Sequence, residues 1–306
     1  MKNMGNRKLY GHLAALFTVG IWGMTFISTK ILLNDFTPFQ ILFIRFLLGY
    51  LLLWLVSPKW LKITEKKEEV YFALAGLLGI VLYYFLENLA LTLTHASNVG
   101  IIVSVAPFFT VLLAKLFTSG KQVNRWFYIG FLVSLSGIIL ISLNSLTALE
   151  IHPLGDLLSV LAAVVWAAYS LVTKKISSFG HNILLATRRT FFYGLLFMLP
   201  VLFVTGTPTI RFEELTMTSI LNLLFLGAVA SAICFVTWNY SVSKLGAVQA
   251  SVYIYAVPAI TVVTSALFLG EAFTPIIALG TLLTTIGLFV SERSSTAESD
   301  NEESLS

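Results

Sequence analysis

Residues 215–243 read LTMTSILNLLFLGAVASAICFVTWNYSVS and carry no charged side chain. A helix needs about 20 apolar residues to cross about 30 Å of hydrocarbon at 1.5 Å rise per residue. This run is long enough, and it is not alone. Leu9–Thr29, Asn88–Ala114, Trp126–Leu149, Thr190–Ile210, Leu245–Gly270 and Ala272–Ser291 are also uncharged or apolar stretches of that size. Charged residues make up 11% of the chain and hydrophobic ones 57%. A soluble domain carries about 25% charge to cover its surface. The composition therefore excludes a soluble enzyme, a disordered chain and a nucleic-acid module.

The runs parse into ten helices, at 12–33, 38–57, 70–92, 96–117, 124–143, 153–174, 182–204, 218–241, 246–269 and 273–291. The first run is too long for the apolar region of a cleavable signal peptide, so the first helix is expected to stay. With the N-terminus placed inside, sixteen of the nineteen Lys and Arg residues fall on that side. Lys30, Arg45 and Arg211 are the exceptions. This bias predicts an even number of spans with both termini cytoplasmic. The Ser/Glu-rich segment 294–306 reads as a disordered cytoplasmic tail.

The second half repeats the first. At a shift of 144, Trp22 meets Trp166, Thr29 meets Thr173, Lys30 meets Lys174 and Arg45 meets Arg189. At 151, Gly76 meets Gly227, Asn88 meets Asn239, Ala96 meets Ala247 and Pro107 meets Pro258. At 150, Gly130 meets Gly280 and Gly137 meets Gly287. The repeats span residues 1–148 and 149–293. Each holds five helices, an odd number, so the halves insert in opposite directions. The expected fold is an all-α integral membrane protein made of two inverted five-helix repeats, an architecture used by secondary transporters.

Several motifs carry a family likeness. They are Ile21-Trp22-Gly23-Met24-Thr25-Phe26 with Lys30, Pro38 with Arg45-Phe46, and Asn88-Leu89-Ala90-Leu91 with Ala96-Ser97 and Ala106-Pro107. Phe268-Leu269-Gly270-Glu271 with Gly280 and Gly287 completes the set. Together, over about residues 11–291, the sequence resembles the EamA family of the drug/metabolite transporter superfamily. The first repeat departs from the pattern, with Ser119-Gly120-Lys121 where a glutamate would match Glu271. The resemblance implies a ten-helix bundle with a central cavity lined by helices 1, 3, 4, 6, 8 and 9. It also implies export or exchange of amino acids, related metabolites or amphipathic drugs across a bacterial inner membrane.

Candidate solute contacts follow from spacing. Trp22, Thr25, Phe26 and Thr29 share one face of helix 1, and Trp166, Tyr169, Ser170 and Thr173 share one face of helix 6. The alternative reading of these faces is helix packing. On helix 3, Glu87 lies within a span, with Tyr83, Tyr84 and Asn88 nearby. A carboxylate there must face a partner, face a wet cavity or carry a proton. Glu87 is thus a candidate for proton coupling or for binding a substrate amine, with Arg45 as its companion. The competing reading is a structural ion pair with Arg45 or Lys30. Asn98, Gln249, Asn239, Trp238 and Tyr253 complete the substrate-binding candidates. Pro107 and Pro258 are candidate hinges, because a proline within a helix removes a hydrogen bond. Arg189 and Lys174 are expected to snorkel toward a headgroup. Small residues at Gly130, Ser134, Gly137, Gly280, Thr284 and Gly287 read as a packing face, within the chain or in a homodimer.

A lone Cys234 and four scattered His give no metal-ligand spacing, and no cofactor is expected. The partners expected are a small-molecule substrate and the lipid bilayer. The function expected is secondary transport by alternating access. An uncoupled facilitator or exchanger is the nearest alternative. A membrane-embedded lipid-handling enzyme would need more acids or a Ser–Lys pair at one depth, and a non-transporting scaffold would carry longer loops.

Overall fold

A computed structural model describes residues 2–94, 96–117, 124–144, 153–205, 215–269 and 274–303. Among them the chain is helical, with no strand, and forms ten helical rods. These are α1 (Lys2–Leu32), α2 (Pro38–Val56), α3 (Lys66–Leu93), α4 (Ala96–Val103 and Ala106–Phe117) and α5 (Arg125–Asn144). They continue as α6 (Pro153–Ser177), α7 (Ile183–Thr205), α8 (Met217–Leu245), α9 (Ala247–Val252, Tyr253–Ala256 and Val257–Leu269) and α10 (Pro275–Glu303). Among the described residues, six helices are long and apolar enough to cross a membrane: those of α1, α2, α3, α6, α7 and α8.

Local chemistry sets the ends. Thr37 caps α2, accepting from the Gln40 amide while the Gln40 side chain accepts from the Thr37 amide, and Pro38 occupies the first helical position. Thr216 caps α8, its hydroxyl accepting from the Ser219 amide at 3.1 Å. Gly246, with φ of 91°, ends α8 and lets α9 start at the next residue.

α3 and α8 each contain a π-helical stretch, Gly76–Leu82 and Phe225–Ile233. Both stretches hold a glycine pressed against a neighbour. A Cβ on Gly76 would lie 2.7 Å from the Gly194 amide nitrogen of α7, and one on Gly227 would lie 2.7 Å from Leu48 Cβ of α2. α3 thus packs on α7 and on α6, while α8 packs on α2 and on α1. α4 packs on α6, α9 packs on α1, and α5 pairs along its length with α10.

The bundle buries polar groups and exposes apolar ones. Arg45, Glu87, Asn88, Ser170 and Thr187 are buried, whereas Leu55, Leu132, Leu221 and Leu282 are exposed. Such a surface suits hydrocarbon rather than water.

α4 breaks just before Pro107, and α9 tightens into a 3₁₀ stretch just before Pro258. The break in α4 falls at Ser104–Val105, and Pro107 sits in the first turn of the new segment. Pro258 stands likewise in the first turn after the 3₁₀ stretch Tyr253–Ala256. Each irregularity falls in the turn before the proline, where the missing N–H leaves the carbonyl four residues earlier without its helical partner. Three expectations are corrected, those for the tail, Arg189 and Lys174. The last helix continues to Glu303, into the segment read as a disordered tail, with no Pro or Gly between Ser291 and Glu303 to stop it. Arg189 does not snorkel: it forks onto Glu69 of α3, which also accepts from Tyr193 Oη at 2.6 Å. Lys174 reaches the Ser243 carbonyl at the end of α8, 3.4 Å away. A lysine here answers carbonyls that α8 leaves without helical partners. The turn residues Ser119-Gly120-Lys121 and Gly270-Glu271 lie outside the described residues.

Candidate functional site

α1, α3, α4, α6 and α9 enclose a central cavity. α1 contributes Trp22, Thr25 and Phe26, and α3 contributes Tyr83, Tyr84 and Glu87. Val103 comes from α4, Trp166 from α6, and Ile254 and Val257 from α9. The cavity volume is about 30 Å³, room for water but not for an organic solute.

Aromatic rings build the walls. Trp22 and Trp166 meet edge to face at 5.1 Å, and Trp22 and Trp238 are also 5.1 Å apart. Tyr83 lies 4.7 Å from Trp166 and 4.7 Å from Tyr84. Phe235 of α8 stands behind them, 5.9 Å from Trp22 and 6.1 Å from both Tyr84 and Trp166. Edge-to-face pairs of this kind are worth about 0.5–1.5 kcal/mol each beyond their burial.

The polar groups are mostly committed. Trp22 Nε1 donates to the Ala230 carbonyl at 3.0 Å, and Thr25 Oγ1 donates to the Trp22 carbonyl at 2.7 Å. Glu87 is 2% exposed and takes a hydrogen bond from Tyr83 one turn earlier on α3. Its expected partners are elsewhere. Lys30 Nζ donates to the Leu91 carbonyl at 2.7 Å and the Thr94 carbonyl at 3.3 Å, closing the end of α3. Arg45 is wholly buried, and its Nε donates to Ser231 Oγ at 3.0 Å. Its Cζ lies 4.2 Å from the Tyr84 ring centroid, and its Nη1 and Nη2 have no acceptor. Among the described residues no ion pair joins Glu87 to either cation.

The remaining candidates lie around the cavity rather than on its wall. Trp238 and Tyr169 are wholly buried behind it. Tyr169 Oη donates to Asn239 Oδ1 at 3.0 Å, and Asn239 Nδ2 donates to Thr187 Oγ1 at 2.9 Å, tying α6, α8 and α7. Asn239 also lines a second recess with Thr173, His181 and Thr190. Asn88 Nδ2 donates to the Pro38 carbonyl at 3.1 Å and so holds the start of α2. Tyr253 shares a 2.6 Å hydrogen bond with His12. Gln249 is half-buried on the first segment of α9. Asn98 is on α4, and its side chain lies outside the described ones.

Val103, Ile254, Val257 and Phe235 belong to the site without having been read as candidates. The first three flank the breaks before Pro107 and Pro258, and that proximity was their one signal. Phe235 precedes Trp238 by three residues, which puts both on one helix face.

The profile of the EamA-like transporter family matches residues 9–143 and 153–292. An uncharacterized transporter of Archaeoglobus fulgidus is 28% identical over 287 residues, covering 91% of this chain and 96% of its own length. A probable amino-acid metabolite efflux pump of Escherichia coli K12 is 25% identical, with 90% and 92% covered. A probable terminal-alkyne amino-acid exporter of Streptantibioticus cattleyicolor is 26% identical, with 92% of each chain covered. A solved crystal structure shares the fold, with a TM-score of 0.73 at 19% identity over 95% of this chain and 99% of that one. This chain, a membrane transporter and not an enzyme, belongs to the EamA-like transporter family.

Proposed function

We propose that the chain is a secondary transporter that exports small organic metabolites by alternating access through the central cavity. The observation that carries this reading is the cavity itself. Trp22, Thr25, Phe26, Tyr83, Tyr84, Glu87 and Trp166 were nominated from sequence alone, and they converge on one enclosed space. In this reading they touch the solute. Trp238, Tyr169, Asn88, Asn98, Asn239, Gln249 and Tyr253 join the path as the bundle opens, with the breaks before Pro107 and Pro258 as bending points. The names of the relatives in Escherichia coli and Streptantibioticus cattleyicolor support amino-acid metabolites as cargo and export as direction.

Two inverted repeats, with both termini and the tail cytoplasmic, supply the alternation. The packing supports them. Exchanging the halves turns α1 on α8 into α6 on α3, α2 on α8 into α7 on α3, and α4 on α6 into α9 on α1. The α5–α10 pair maps onto itself. Two inverted repeats that take up different conformations can exchange them, which gives an inward-open and an outward-open state from one sequence.

Glu87 couples transport to protons in this scheme, binding one proton in one state and releasing it in the other. Proteoliposomes test it. Radiolabelled solute should exchange by counterflow in the wild type, and Glu87→Gln should still bind solute, though more weakly, but lose stimulation by a pH gradient. Unchanged gradient-driven flux in that variant would leave uncoupled facilitation as the mechanism. Absence of any counterflow across a metabolite panel would sink the transport reading.

A further inference from the structure

The cavity wall carries charge of one sign. Glu87 lines it, and among the described residues no Lys, Arg or His does. Around the acid stand the rings of Trp22, Phe26, Tyr83, Tyr84 and Trp166. The face of an aromatic ring is the negative end of its quadrupole, so a ring that turns its face to a bound cation adds to the pull of the carboxylate. Three of the wall's donors are engaged, Trp22 Nε1 by Ala230, Thr25 by Trp22 and Tyr83 by Glu87, which leaves the neutral hydroxyl of Tyr84 and one indole. Trp166 Nε1 has no acceptor, but a single neutral indole N–H cannot offset a carboxylate taken out of water. The guanidinium of Arg45 is buried against Tyr84 and Ser231 and does not line the space, although its charge reaches Glu87 from behind the Tyr84 ring.

We propose that the solute recognised here is an organic cation: a primary or substituted ammonium on an apolar, preferably aromatic, skeleton. Glu87 is its counter-charge and the rings are its cage. This rests on the transport reading and departs from it in cargo, with a cation in place of an amino acid. A zwitterion would have to bring its carboxylate to Arg45, whose Nη1 and Nη2 are buried without acceptors. That alternative is the one the test sets against the proposal.

Three probes share one phenyl skeleton and differ in charge: 2-phenylethylamine, phenylalanine and 3-phenylpropanoate. Their binding to the purified full chain is read from quenching of tryptophan fluorescence at neutral pH. The amine should bind about tenfold or more tighter than phenylalanine, with the propanoate weakest. Glu87→Gln should abolish the preference for the amine. Equal or tighter binding of phenylalanine or the propanoate overturns the proposal, as does binding of none of the three. Unchanged amine affinity in a folded Glu87→Gln overturns it too, and if that variant does not fold, the wild-type series alone decides. Counterflow keeps the two readings apart. Exchange of phenylalanine without exchange of the amine leaves transport standing and removes the cation. Amine binding in the expected order without counterflow of any solute removes transport instead.

Discussion

Arg45 lays its guanidinium over the ring of Tyr84, 4.2 Å from the centroid, and ties α2 to α8 through Ser231 at 3.0 Å. A planar, delocalised cation can do both at once, and an ammonium cannot. Arg45→Lys should therefore lower stability by about 1–2 kcal/mol, seen as a lower melting temperature in detergent. A direct pair with Glu87 would instead let the lysine substitute at little cost.

Glu69 gathers Arg189 and Tyr193 where α3 meets α7. The Arg189 and Glu69 side chains are 24% and 27% exposed, so solvent screens the pair. A double-mutant cycle of Glu69→Gln and Arg189→Gln should give a coupling of about 0.5–1 kcal/mol that shrinks as salt is raised. Simple additivity of the two variants would mean that the fork contributes nothing.

Gly287 and Gly20 make a controlled comparison. A Cβ on Gly287 would sit 2.3 Å from Ser134 Oγ and 2.5 Å from the Gly130 carbonyl, whereas one on Gly20 meets nothing within 4 Å. Gly287→Ala should cost about 1–3 kcal/mol as α5 and α10 are forced apart. Gly20→Ala should be neutral or gain up to about 1 kcal/mol from helix propensity. Thermal unfolding of both variants reads the contrast.

Asn239 satisfies a tyrosine hydroxyl that has no access to water. Asn239→Leu leaves Tyr169 Oη and Thr187 without that partner, at a cost of about 1–3 kcal/mol. Adding Tyr169→Phe to the variant should recover part of the loss. A melting temperature that falls further in the double variant would count against the bond.

The helices were legible because hydrocarbon imposes length and apolarity directly. The run 215–243 contains all but the end of α8, whose final turn adds Lys244 and Leu245. Most of the cavity wall was legible too, since Trp22, Thr25 and Phe26 obey helical spacing and Glu87 is conspicuous among apolar neighbours. The partners of the cations were not. Arg45 and Arg189 occupy matching positions, yet one rests on a ring and the other on Glu69. The difference lies in α3 and α8, where Glu69 of the first repeat is matched by Ile220 in the second. The π stretches at Gly76–Leu82 and Phe225–Ile233 were hidden as well. Composition sets whether a helix forms, while tertiary fit sets where its hydrogen bonds widen. Val103, Ile254 and Val257 carried no chemistry to mark them; only the breaks in α4 and α9 bring them to the cavity.

The seam between α5 and α10 separates two kinds of evolutionary freedom. There backbone meets backbone: a Cβ on Gly137 would lie 2.5 Å from the Gly280 carbonyl, and one on Gly130 would lie 2.5 Å from the Gly287 carbonyl. A crowded side chain can turn to another rotamer, but a crowded carbonyl has nowhere to go, so no second mutation easily rescues a first. The aromatic wall is different, because each ring leans on other rings that can be exchanged or resized. Drift in such a protein is channelled toward its cargo preference while the α5–α10 seam stays fixed.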